Sequence, residues 1–61
     1  NTLMTIITYN TKTLKCIEKE GSIKTQTSYK TLALLMEDYN MTKDFNEQYP
    51  SESAILKIIN Q

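Results

Sequence analysis

Up to Thr27 the chain runs in short stretches rich in threonine and β-branched residues, and from Ser28 onward its apolar residues recur at helical spacing. A strand-forming half followed by a helix-forming half confines the fold to the α+β class. Leu3 to Tyr9 carry apolar side chains on both parities, the pattern of a central strand covered on both faces. Asn10-Thr11 interrupts that run with turn-tolerant residues. Thr13 to Lys19 then set Leu14 and Cys16 on one face against Thr13, Lys15 and Lys19 on the other. Ile17 breaks this alternation, which predicts a bulge near Cys16 or partial cover of the second face. The chain's single glycine, Gly21, sits where a turn needs positive φ. Ser22 to Thr27 follow as a polar edge strand defended by Lys24.

In the second half Tyr29, Leu32, Leu35, Met36 and Tyr39 share one helical face, with Ser28 as the expected N-cap and Asn40 as the closing residue. Thr42 is read as the cap of a short helix carrying Phe45 and Tyr49, which Pro50 ends. Ser51 is read as the cap of a last helix striped by Ala54, Ile55, Ile58 and Ile59. The expected architecture is a three-stranded antiparallel meander followed by two or three helices packed on one face, ββ(β)αα.

Length leaves room for a single domain over residues 1–61, and a chain this short buries only about 60% of the surface its unfolded form exposes. Asn1 to Leu3 are read either as a vector-derived scar or as the remnant of a longer start. Cys16 has no second cysteine to pair with and the chain has no histidine, so neither a disulfide nor a usual zinc ligand set reinforces the fold. Self-association or a partner is the remaining means of support.

Seven lysines balance seven acidic residues and no arginine is present, so net charge supplies no field to gather nucleic acid or anionic membrane. Lysine without arginine, with much isoleucine, asparagine and threonine, fits an AT-rich genome such as that of a low-GC bacterium or its phage. No stretch approaches the ~18 apolar residues of a membrane span, and the opening run lacks the features of a signal peptide. A cytoplasmic location is therefore expected, and the lone thiol agrees with a reducing compartment.

Catalytic machinery is not expected. Without histidine, arginine or a glycine-rich phosphate loop, an enzyme would have to work with carboxylates, lysine and Cys16, none at motif spacing. Cys16 reads as a small buried apolar residue. Glu37, Asp38, Asp44 and Glu47 lack the ladder of a calcium loop, so no metal or other cofactor is expected. A helix-turn-helix over Ser28 to Tyr49 is disfavoured because its second segment carries more acid than base.

Two interaction surfaces remain. Met41, Phe45 and Tyr49 are expected to be partly exposed and available to a protein partner or a second copy, since methionine and aromatic side chains are enriched at interfaces. Lys12, Lys15, Lys19 and Lys24 lie on the expected sheet among threonine and glutamine, and a sheet backed by a helix can enter a DNA groove. Glu18 and Glu20, in the same hairpins, weaken that second surface. The leading expectation is a small intracellular protein-binding module, of phage or mobile-element origin, that modulates a host protein. The alternative is a nucleic-acid-binding domain using the lysine and threonine face.

Overall fold

The computed structural model describes residues 4–61. Residues 1–3, including the start of the first expected strand and the segment read as a scar or remnant, lie outside the described residues. Strands β1 (Thr5–Asn10), β2 (Lys15–Glu20) and β3 (Ile23–Ser28) form the expected antiparallel meander, and helix α1 spans Leu32–Gln48. A 3₁₀ turn at Pro50–Glu52 leads into a fourth strand, β4 (Ile55–Ile59). The sheet order is β3-β2-β1-β4, with β4 parallel to β1.

Each turn has a local cause. Gly21 takes φ 60° between β2 and β3, the positive-φ role its position implied. Between β1 and β2 the positive φ falls on Leu14, at 58°, a conformation that is unfavourable for a residue with a Cβ. Asn10 holds it there. Its Oδ1 accepts from the backbone N–H groups of Lys12 and Thr13, and its carbonyl accepts from that of Leu14. The Leu14 side chain packs against the core in return. No bulge forms near Cys16, because β1 and β2 pair without interruption from Thr5 opposite Glu20 to Asn10 opposite Lys15.

The helical half departs from the ββ(β)αα expectation. Ser28 ends β3, and the N-cap is Thr31, whose Oγ1 accepts from the Leu34 N–H at 3.2 Å. The helix runs through Asn40 and Thr42 without a break, so neither the separate short helix nor the turn of a helix-turn-helix exists. Packing overrides turn preference here. The Thr42 hydroxyl donates back to the Asp38 carbonyl and meets the Tyr9 phenol at 3.0 Å, which gives a residue suited to capping a reason to lie within the helix. Tyr49 ends α1 with φ −127° and ψ 68°, outside helical geometry as the residue before Pro50 must be.

The expected last helix is strand β4. A short apolar run with side chains on both parities satisfies strand and helix templates alike, and only the isoleucines tip intrinsic preference toward a strand. The exposed edge of β1 decides the matter by offering parallel pairing from Ile6 opposite Ile55 to Asn10 opposite Ile59. Asn46 of α1 pins the entry to β4, donating to the Ala54 carbonyl and accepting from its N–H.

The described residues thus form a mixed four-stranded sheet with one α-helix against one face. The core is small. Tyr9, Cys16 and Leu35 are buried, with Ile7, Leu14, Tyr29, Met36, Tyr39 and Leu56 half-buried around them. Leu35 is fully buried at the centre of the helix–sheet contact. Leu35→Ala is expected to cost about 2–5 kcal/mol, enough to abolish the cooperative thermal transition of so small a domain when followed by circular dichroism. A variant that melts with the parent would contradict this packing.

Candidate interaction surfaces

Side chains alternate along each strand, so the pairing registers assign every strand residue to a face. The helix side carries Ile7 and Tyr9 of β1, Cys16, Glu18 and Glu20 of β2, Ile23, Thr25 and Thr27 of β3, and Leu56 and Ile58 of β4. The opposite, open face carries Ile6, Thr8 and Asn10, then Lys15, Ile17 and Lys19, then Lys24, Gln26 and Ser28, and finally Ile55, Lys57 and Ile59. Ile17 breaks the alternation of β2 because this open face has its own apolar centre.

Three of the four lysines named from the sequence therefore share one face: Lys15, Lys19 and Lys24. Lys12 lies in the turn between β1 and β2. Lys57 joins the group from β4 and was missed in the sequence because its segment reads as a helix. Glu18 and Glu20, which appeared to neutralise the cluster, project from the other side of the sheet. Ile6, Thr8, Ile17, Lys19, Lys24 and Lys57 line a shallow depression on the open face.

The second surface lies on the flank of α1. At 100° per residue, Leu34, Met41, Phe45 and Tyr49 fall within about 80° of arc, roughly 90° round the helix from the sheet-facing Leu35, Tyr39, Thr42 and Asn46. Their exposures are 47, 65, 47 and 48%. The structure brings together the three residues expected to meet a partner and adds Leu34, whose membership depends on one unbroken helix. The Phe45 and Tyr49 rings contact each other at a centroid separation of 4.9 Å. This flank rises beside the uncovered part of the sheet, and Ser28, Tyr29, Lys30, Leu34, Glu37, Asp38 and Met41 line a groove along the junction.

Between helix and sheet lies a partly buried set of polar groups. The Tyr9 phenol meets Thr42 Oγ1, and the Tyr29 phenol donates to an Asp38 carboxylate oxygen. The Tyr9 ring stands edge-on to Tyr39 at 5.5 Å and tilted against Tyr29 at 6.4 Å. Burial pushes the Tyr9 phenol from 10.0 up to about 12, against a smaller opposing effect of the Thr42 hydrogen bond. Burial, then the hydrogen bond to Asp38, raises Tyr29 as well. Burial also raises the Cys16 thiol, which disfavours its thiolate. Tyr9, Cys16, Tyr29 and Tyr39 pack together in the core. Among the described residues no three histidine, cysteine or acidic side chains gather to hold a metal ion. No helix among them is long and apolar enough to cross a membrane. No family model, curated protein or solved structure matches the chain.

The raised phenols give stability a defined pH dependence. A folded-state pKa above the unfolded value means that the native state binds the proton more tightly, so this contribution is complete below pH 10.0 and fades as pH climbs through about 12. Alkaline unfolding is expected in that window, with the tyrosinate absorbance of Tyr9, read as the difference between the parent and Tyr9→Phe, appearing together with loss of helical circular dichroism. Tyr9→Phe should also shift the transition. Ionisation of the Tyr9 phenol, read by that difference, well below the loss of structure would contradict its buried placement.

Proposed function

We propose that the chain is a protein-binding module whose α1 flank receives an amphipathic helix with a basic rim from a partner protein. The observation that carries this reading is the row of exposed Leu34, Met41, Phe45 and Tyr49 along ~23 Å of helix, interrupted in the same arc by the half-buried Asp38, whose carboxylate accepts from the Tyr29 phenol. Isolated exposed apolar residues are ordinary on protein surfaces, but a row of this length beside an uncovered shelf of sheet is the form of a docking groove. The rim supplies the charge preference. Glu18 and Glu20 project from β2 on this side and Glu37 lines the groove, against the single ammonium of Lys30. The thin core gives the chain a further reason to be covered, since apolar area removed from water on binding adds to what folding leaves exposed.

The test is titration of a synthetic amphipathic helix of leucine and lysine into the labelled protein, followed by amide chemical shifts. Shifts should concentrate at Leu34, Met41, Phe45 and Tyr49. Met41→Asp or Phe45→Asp, at exposed positions that leave the core intact, should weaken binding at least about tenfold. Equal binding by these variants would overturn the reading. So would sedimentation showing a dimer that Met41→Asp dissociates, which would assign the stripe to a second copy.

A further inference from the structure

The formal neutrality of the chain conceals a separation of charge across the sheet. Lys15, Lys19, Lys24 and Lys57 project from the open face, and no aspartate or glutamate of the four strands joins them there. Glu18 and Glu20 point to the helix side. Glu37, Asp38, Asp44 and Glu47 belong to α1, and Glu52 to the 3₁₀ turn that borders Glu20. We propose that this open face binds the phosphate backbone of double-stranded nucleic acid through Lys15, Lys19, Lys24 and Lys57.

Three further features of the face select that occupant. Lys19 and Lys24 are direct register partners on neighbouring strands, an arrangement of like charges that is unfavourable until an anion lies between them. The lysines are also spread out. Lys15 and Lys19 stand ~14 Å apart along β2, and Lys57 lies two strands from β2, ~10 Å across the sheet. Lys19, Lys24 and Lys57 line one depression, but Lys15 stands too far along β2 to join them on a single phosphate, so the set as a whole matches successive phosphates of an extended polyanion.

The neutral side chains between them decide among polyanions. Thr8, Gln26 and Ser28 offer hydroxyl and amide groups of the kind that bind sugar and phosphate oxygens. A lipid surface would gain little from them, and the isoleucines of the face present no continuous apolar wedge to a bilayer, since Ile6, Ile17 and Ile59 are half-buried and only Ile55, on β4, is exposed. No aromatic residue belongs to this face, so unpaired bases have nothing to stack on and a duplex is favoured over a single strand. The outer strands lie ~14 Å apart, wider than the ~12 Å major groove, which sets the sheet across the backbones rather than inside the groove.

Fluorescence anisotropy of a labelled mixed-sequence DNA duplex tests the proposal across a series of salt concentrations. Four phosphate contacts predict a slope of log K against log salt of about −3 to −4. Lys19→Gln should reduce its magnitude by about one. The fourfold Lys15→Gln, Lys19→Gln, Lys24→Gln, Lys57→Gln variant should lose binding while keeping the parent circular dichroism spectrum. Lys43→Gln, on the helix, should leave the slope unchanged, as should Met41→Asp, which separates this outcome from that at the α1 flank. Absence of binding, a slope near zero, or equal weakening by Lys43→Gln would overturn the proposal. Tighter binding to a single strand, or equal binding to phosphatidylserine vesicles, would overturn it as well.

Discussion

One helix cannot cover a four-stranded sheet, and that mismatch of areas governs the rest of the molecule. A helix with its side chains is ~10–12 Å across, while the strand axes of this sheet span ~14 Å and their side chains extend further. The helix covers part of one face and none of the other. The uncovered strand β3 is polar from Lys24 to Ser28, with Ile23 alone apolar and exposed at its start, as suits an edge without a helix above it. The flank of α1 that meets no strand keeps its apolar side chains, and the open face keeps its isoleucines between lysines.

Within the covered part, Tyr9 is the residue that ties layers together. It comes from an interior strand, contacts the rings of Tyr29 and Tyr39, and reaches the helix through Thr42. A buried phenol is stable only while its hydroxyl has a partner and remains neutral. The same contact therefore explains why α1 continues through Thr42 and why the fold is sensitive to alkali. With only three buried apolar side chains among the described residues, loss of this one contact is a large share of the whole.

Much of this was legible in the sequence, for identifiable reasons. The meander was readable because β-branched runs, a polar edge and a lone glycine all imply the same local geometry, and β1 does prove to be interior. The last third was not. Asn40 and Thr42 carry end-of-helix signals that tertiary contacts override, and Ile55 to Ile59 satisfy helix and strand templates until the vacant edge of β1 selects one. The exposure of Met41, Phe45 and Tyr49 was legible because methionine and aromatic side chains are enriched at interfaces, whereas Leu34 shares their flank only because the helix is unbroken. The lysine face was half legible. Parity alone separates Lys15, Ile17 and Lys19 from Cys16, Glu18 and Glu20, yet charge summed over a hairpin erases that distinction. Lys57 needed the strand assignment of β4.

The two surfaces also bear on stability through the same small core. A ligand that binds only the folded chain adds RT ln(1 + [L]/Kd), about 2.7 kcal/mol at a hundredfold excess over Kd. For a domain whose own stability is at most a few kcal/mol, that increment is comparable to everything the buried residues contribute. Occupancy of the α1 flank would remove apolar area from water on the side where the core is thinnest. An anion on the open face would act differently, by relieving repulsion between Lys19 and Lys24 rather than by burying carbon. Stabilisation at the first surface should therefore weaken only slightly with salt, through its acidic rim, whereas stabilisation at the second should vanish as salt screens the lysines. Because the sheet stands between the two proposed surfaces, their proposed ligands would not exclude one another, and each would favour the other to the extent that both draw on the same folded population.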